Sequence, residues 1–155
     1  MAGWSEIEVA APELTALARR FFDLRRHMTL ATLRRDGSPR ISGTEAIFAE
    51  GELWLGSMGR ARKALDLRRD PRFALHGGSV DPPEWEGDAK LAGRAEEITD
   101  PARAAAIIGE RGSGRSHLFR ADIHELSVVR LGEPADHLVI EAWHAARGVS
   151  RRERR

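Results

Sequence analysis

Apolar and polar residues along the first half of the chain follow two different periods. Between residues 12 and 26 the apolar positions recur at helical spacing, as in Leu14, Leu17 and Phe21, which predicts an amphipathic helix. From residue 28 onward the sequence is rich in Thr, Ile, Leu, Phe and Trp, and the turn sequences DGSP and AEGE interrupt it. This pattern predicts three antiparallel strands, over about 28–35, 39–49 and 52–57.

The second half of the chain alternates between short helices and further strand-like runs. A helix is expected to begin near Arg60 and to end at Pro71, with Ala64, Leu65 and Arg68 sharing one side. A second helix is expected after Asp100, which has the side chain of a good N-cap. The remaining strands are predicted at 72–80, 89–99, 121–132 and 137–148.

Two features of these runs bear on the architecture. Gly93 lies inside a predicted strand, where glycine marks a bulge or a close approach of backbone. The strands also follow one another in consecutive runs, without strict alternation with helices. We therefore predict a mainly β (α+β) fold, an antiparallel split β-barrel with about three flanking helices. The 155 residues form a single domain with an ordered core over about 12–148, followed by a basic, frayed C-terminal tail.

Composition excludes several classes of function. The chain contains no cysteine, so disulfide frameworks, thiolate zinc sites and cysteine catalysis are ruled out. A net charge of +1 gives no overall attraction to nucleic acid. No apolar run reaches the roughly 20 residues of a membrane-spanning helix, and the N-terminus lacks the pattern of a signal peptide. The expectation is a cytoplasmic protein that does not bind a membrane.

The segment GSMGRARKALDLRRDP, residues 56–71, carries the most specific chemical signal. Gly56 lets the backbone approach a ligand, and Ser57 adds a hydroxyl group. Arg62 and Lys63 place two cations in the first turn of the predicted helix, where positive charge opposes the helix dipole. A phosphate bound there would remove the conflict. The alternatives are a solvated basic helix face and, less favoured, a nucleic-acid contact that also uses the basic tail.

Other candidate motifs are weak. Residues 109–116, GERGSGRS, approach the phosphate-loop pattern but have Arg115 in place of lysine and follow a helix, so we interpret them as a helix-ending loop. The six histidines form no close metal-binding pair, and no metal is expected. Each histidine alone is typical of a surface or core position. No catalytic residue is identified.

The order of the elements and two motifs resemble a known family. The motifs are ATLRRDGSPRIS and the pattern S-x-x-x-x-R-K-A-x-x-L-x-x-D-P-R from Ser57 to Arg72; AGRAEEITD is a weaker third. Together, over about residues 13–130, the chain resembles the pyridoxamine 5′-phosphate oxidase-like split barrels that bind flavin or deazaflavin. The resemblance implies a homodimer with FMN in a groove between two barrels, acting on a small-molecule substrate by hydride transfer.

The resemblance also implies which residues bind the cofactor. They are Arg40, Ile41 and Ser42 on the second strand, Gly56 and Ser57 at the end of the third, and Arg62 and Lys63 at the cofactor phosphate. Two departures separate the chain from true pyridoxamine phosphate oxidases. Glu45 replaces a basic residue, and the C-terminal substrate-binding region has no counterpart. The alternatives are a reductase that uses the deazaflavin coenzyme F-420 and a non-catalytic flavin- or haem-binding protein.

Overall fold

A computed structural model describes residues 2–109 and 116–155. Its helices are α1 (Trp4–Ala10), α2 (Pro12–Phe22), α3 (Arg62–Arg69) and α4 (Pro101–Ile108). Its strands are β1 (His27–Leu33), β2 (Pro39–Ala49), β3 (Glu52–Ser57), β4 (Arg72–His76), β5 (Gly87–Glu97), β6 (His117–Leu131), β7 (Leu138–His144) and β8 (Gly148–Arg154).

Six of the strands close into an antiparallel barrel. The strand order is β3-β2-β1-β4-β5-β6, and β3 pairs back onto β6, with Leu55 opposite Phe119. Strands β7 and β8 extend the sheet beyond β6 as a hairpin. Every pairing is antiparallel, so the predicted mainly β split barrel is confirmed. The predicted bounds of β2 and β3 agree with the observed ones: the DGSP turn fixes the start of β2, and the AEGE turn fixes its end and the start of β3.

Gly93 marks a bulge in the long β5–β6 ladder. The register of this ladder shifts between Ala92 and Gly93. A Cβ atom on Gly93 would lie 2.2 Å from the carbonyl oxygen of Asp122, a distance that no side chain tolerates. The prediction of a bulge or a close backbone approach at this glycine is therefore confirmed on both counts.

The N-terminal end of the chain departs from the expected ordered core. Helix α1, which the sequence analysis did not predict, buries Trp4 and Ile7 in the main core. The Trp4 ring packs edge-on against Phe48 with ring centroids 4.8 Å apart. Helix α2 ends at Phe22, four residues earlier than predicted. The core therefore starts at residue 4 and not near residue 12.

The C-terminal end also departs from the expectation. The residues predicted to be a frayed tail form strand β8, which pairs with β7 over its whole length, from Gly148 opposite His144 to Arg154 opposite Leu138. All seven residues of β8 are exposed. Backbone hydrogen bonds hold this strand, and no hydrophobic pattern in its sequence could reveal it.

None of the described helices is long and apolar enough to cross a membrane.

Replacement of Trp4 by alanine should destabilise the protein strongly. Trp4 is 2% exposed, and its truncation leaves a cavity beneath α1, so we expect a loss of about 3–5 kcal/mol in the free energy of unfolding. Val9→Ala on the same helix, where the side chain is 86% exposed, should change stability by less than about 0.5 kcal/mol. Urea denaturation of both variants tests this, and equal stabilities would contradict the placement of α1.

Candidate functional site

A cleft of about 540 Å³ opens where the end of β3, the middle of β2 and the start of α3 meet. The strands supply its floor, the loop after β3 supplies one wall, and apolar residues of α4 supply another. Its lining residues are His27, Gly43, Thr44, Glu45, Ile47, Gly56, Ser57, Met58, Lys63, Ile107, Ile108 and Ser116. The described lining thus combines a lysine, a hydroxyl-bearing strand end and apolar surface.

Among the described residues that line the cleft, Lys63 carries a positive charge. Its Nζ donates a hydrogen bond to the carbonyl oxygen of Gly43 on β2, at 2.8 Å. Burial lowers the pKa of Lys63, because removing an ammonium group from water disfavours its charge. An ammonium group has three donors, so Lys63 can hold Gly43 and a bound anion together. An anion in the cleft would compensate the loss of water around this charge.

The backbone beside Lys63 is arranged for close approach by a ligand. A Cβ atom on Gly43 or Gly56 would meet no atom within 4 Å, so both glycines border open space. Helix α3 begins at Arg62, and within the described chain its N-cap residue, Ala61, offers no side-chain hydrogen bond and its first turn holds no acidic residue. The partial positive charge of this helix end is therefore free to act on an anion.

A buried carboxylate attaches α3 to the barrel next to the cleft. Asp66, 3% exposed, accepts hydrogen bonds from Arg40 Nε at 2.7 Å, Arg69 Nη2 at 3.0 Å and Thr32 Oγ1 at 2.9 Å. Burial by itself raises the pKa of Asp66, but these three hydrogen bonds outweigh it and lower the pKa below the usual value. The ionised carboxylate thus fixes the position of α3, and with it that of Lys63.

The cleft contains three of the seven residues proposed to bind the cofactor: Gly56, Ser57 and Lys63. Arg40 lies on the inner face of β2, four residues before the buried Thr44 on the same face, and its guanidinium reaches Asp66. The alternation of β2 thus directs Arg40 toward α3.

The other predicted residues lie elsewhere. Ser42 shares the inner face of β2 with Arg40 and is partly buried. Ile41 is on the opposite face, 74% exposed, and lines a separate groove. Arg62 is exposed and is not among the residues that line the cleft, whereas the adjacent Lys63 is. The roles proposed for these residues stay predictions.

Two further basic residues of segment 56–71, Arg68 and Arg69, pair with carboxylates. Arg68 forms two hydrogen bonds with Glu97, at 2.6 and 2.8 Å, and Arg69 pairs with Asp66. In the structure the buried residues of α3 are Ala64, Asp66 and Leu67, whereas Leu65 and Arg68 are exposed. Arg68 and Arg69 thus pair with carboxylates of the same chain. This favours neither of the alternative interpretations of the segment, a solvated basic helix face or a nucleic-acid contact.

Several lining residues escaped the sequence analysis. His27 on β1 lies opposite Glu45 on β2, with 3.6 Å between His27 Nε2 and Glu45 Oε1. Ile107 and Ile108 at the end of helix α4 also line the cleft. Helix α4 buries none of its residues, so the signal in the sequence that could have indicated a site here was the pair of apolar side chains on an exposed helix. Residues 110–115 of the excluded phosphate-loop pattern lie outside the described residues. In the described part, no three metal-ligating side chains come together.

Comparison with known proteins identifies the fold and one family. A family model described as pyridoxamine 5′-phosphate oxidase matches residues 14–130. A sequence search of curated proteins finds no match. Among solved structures, PhzG from Burkholderia lata 383, in complex with tetrahydrophenazine-1-carboxylic acid, is 13% identical with a TM-score of 0.66, over 94% of this chain and 95% of that chain.

Two further structures show the range of proteins with this fold. A putative pyridoxamine 5′-phosphate oxidase from Listeria innocua is 16% identical with a TM-score of 0.62, over 74% of this chain and 96% of that chain. HutZ, the heme storage protein from Vibrio cholerae, is 19% identical with a TM-score of 0.54, over 70% of this chain and 88% of that chain. At these identities the similarity shows a shared fold, and function must be argued from the site.

Proposed function

Because the chain belongs to the pyridoxamine 5′-phosphate oxidase family, we propose that it binds FMN in the cleft beside Lys63 and acts as a flavin-dependent oxidoreductase on a small organic substrate. The observation that carries the proposal is the partly buried ammonium group of Lys63, next to the uncapped start of α3. Both features favour a phosphate, since charge-assisted hydrogen bonds and a helix dipole act on the same group. FMN ends in a phosphate, which distinguishes it from riboflavin.

The residues of the cleft divide the remaining work. Ser57 can donate its hydroxyl to a phosphate oxygen, and the open positions at Gly43 and Gly56 admit a flat ring near the β2 backbone. Ile47, Ile107 and Ile108 supply apolar surface that would limit water around that ring. The bound flavin supplies the hydride chemistry, whereas the protein binds, orients and desolvates it.

Two other cofactors are alternatives within the same cleft. The deazaflavin coenzyme F-420 also presents a phosphate and a tricyclic ring, so Lys63 would suit it equally. Haem would require an iron ligand, and His27 is the histidine that lines the described cleft. The His27 side chain is 77% exposed and lies beside Glu45, which favours flavin over haem. We therefore place FMN first, the deazaflavin second and haem third.

Fluorescence titrations with FMN and with the deazaflavin test the proposal, and an absorption titration with haem runs beside them. Micromolar or tighter binding of FMN supports it, whereas binding of the deazaflavin alone names the other cofactor. Enzyme activity needs a further step. The bound cofactor is reduced anaerobically and mixed with small organic acceptors. Reoxidation no faster than that of the free cofactor would indicate a binding protein.

We also propose that two copies of the chain associate through the outer face of β1, β2, β4 and β5. A groove of about 320 Å³ on this face is lined mainly by apolar surface, to which Ala31, Ile41 and Ala92 contribute. Ile41 is 74% exposed beside this groove, and contiguous apolar surface, unlike a single exposed side chain, is typical of an interface. Gly43 and Glu45, two and four residues farther along β2, line the cofactor cleft. A second copy on this face would therefore lie beside the cleft.

Replacement of Ile41 by arginine should shift the protein from dimer to monomer. A charged side chain buried without a partner opposes association, so sedimentation velocity should show a larger monomer fraction for Ile41→Arg than for the wild type. Val9→Arg, at an exposed position of α1, is the matched control and should remain dimeric. A wild type that sediments as a monomer, or an Ile41→Arg variant that stays dimeric, would contradict the proposed interface.

A further inference from the structure

The loop between β3 and α3 contains a strained residue. Residues 58–61 connect Ser57 to the first turn of α3, and Met58 in this loop lines both the cofactor cleft and a second cavity of about 870 Å³. Arg60 in this loop has a φ of 63°, in the left-handed region that side chains other than glycine adopt at a conformational cost. Such a conformation persists only where neighbouring groups hold it.

His117, the first residue of β6, holds Arg60. The backbone N–H of Arg60 donates to His117 Nε2 at 3.2 Å, and His117 Nδ1 lies 2.8 Å from Glu97 Oε1 on β5. The His117 side chain is 11% exposed and stacks on Phe119. The two contacts join the loop to the barrel wall through one imidazole ring.

These contacts determine the protonation of the ring. The hydrogen bond from Arg68 lowers the pKa of Glu97, burial opposes this, and His117 adds to the lowering. An ionised Glu97 only accepts, so His117 Nδ1 must donate. The other nitrogen accepts the N–H of Arg60, so it carries no proton. The geometry therefore selects the neutral Nδ1–H tautomer of His117.

We propose that His117, in this neutral tautomer, is the positioning residue of the 58–61 loop, and that its protonation releases the loop and weakens cofactor binding. The consequence for the cofactor rests on the function proposed above. A proton on Nε2 would face the N–H of Arg60, so two donors would meet and the strained residue would lose its acceptor. In the described part of the chain, the charged or titratable groups around the ring are Glu97 from β5, Arg68 from α3, Arg60 from the loop and Asp100, which lines the same cavity.

Two substitutions separate the hydrogen bond from the titration. His117→Gln can still accept from Arg60 and donate to Glu97, but it does not titrate. His117→Phe keeps a ring against Phe119 and loses both hydrogen bonds. With FMN at pH 8, we expect His117→Phe to bind roughly two- to tenfold more weakly than the wild type, because, of its two lost hydrogen bonds, the one to Arg60 holds the loop. His117→Gln should bind nearly as the wild type does, and His124→Gln, elsewhere on β6, is the matched control.

The pH profile gives the sharper result. Between pH 8 and pH 5.5 the affinity of the wild type for FMN should fall more steeply than that of His117→Gln, whereas protonation of the FMN phosphate affects both proteins equally. Parallel profiles, or full affinity in His117→Phe, would overturn the proposal.

Amide hydrogen exchange of Arg60 without cofactor distinguishes this inference from the proposed function. We expect the amide of Arg60 to be protected in the wild type and in His117→Gln. We expect this protection to be lost in His117→Phe, and in the wild type at low pH. These results would support His117 as the positioning residue. This holds even if FMN fails to bind, a result that would count against the cofactor alone. Equal exchange of Arg60 in all these proteins would overturn the role of His117.

Discussion

Lys63→Ala is expected to weaken FMN binding by roughly 10- to 100-fold, because a charged hydrogen bond to phosphate contributes about 1.5–3 kcal/mol. Lys63 lies in the cleft with its ammonium partly desolvated, whereas its neighbour Arg62 is exposed outside the lining. The exposed cation should add little, so Arg62→Ala should change the affinity by less than about threefold. Fluorescence titration of both variants measures the difference.

Arg62→Ala is itself the matched control for charge, since both substitutions remove one cation from the same helical turn. Lys63→Gln tests the hydrogen bond to Gly43 separately, because the amide can still donate to that carbonyl without carrying charge. We expect its affinity to fall between those of the wild type and Lys63→Ala. Equal losses in Lys63→Ala and Arg62→Ala would show that the two cations act together at the phosphate, as the family resemblance implies.

Asp66→Asn is expected to lower the free energy of unfolding by about 3 kcal/mol at pH 7. Removal of one member of a buried ionic network leaves its partners uncompensated, which costs about 3–5 kcal/mol. Arg40 and Arg69 keep 24% and 34% of their side chains exposed, so solvent relieves part of this cost. The exposed pair of Arg19 and Asp23 provides the control, since Asp23→Asn should cost less than about 1 kcal/mol.

The effect of Asp66→Asn should shrink as the pH falls. The pKa of Asp66 is lower in the folded protein than in the unfolded chain, so its contribution to stability is present above the unfolded value of about 3.9. That contribution disappears as the pH falls through the lower, folded pKa. Urea denaturation at pH 7 and near pH 3 should show a narrower gap between wild type and variant at the lower pH. A constant gap would contradict the role of the ionised carboxylate.

The sequence predicted the barrel well wherever local turn chemistry fixed the strands. Strands β2 and β3 agree with their predicted bounds because one glycine-containing turn precedes β2 and another lies between β2 and β3. Helix α1 was missed because its seven residues are too few to establish a helical period. Strand β8 was missed because it carries polar residues on both faces. Both elements depend on contacts with distant parts of the chain: α1 packs on the core and β8 pairs with β7.

The candidate site shows the same division. A cation in the first turn of a helix is a local conflict, so the sequence alone identified Lys63. Asp66 was overlooked because hydrophobic periodicity gives no weight to a charged residue, and its partners Thr32 and Arg40 lie 34 and 26 residues away. His117 depends in the same way on Arg60 and Glu97, 57 and 20 residues away.

Comparison of FMN with riboflavin measures whether Lys63 binds the phosphate of FMN. Riboflavin has the same ring and lacks the phosphate. We predict that the wild type binds FMN far more tightly than riboflavin, and that Lys63→Ala removes most of this difference while leaving riboflavin binding nearly unchanged. Equal affinities of the wild type for the two ligands, or an equal loss for both in Lys63→Ala, would contradict it.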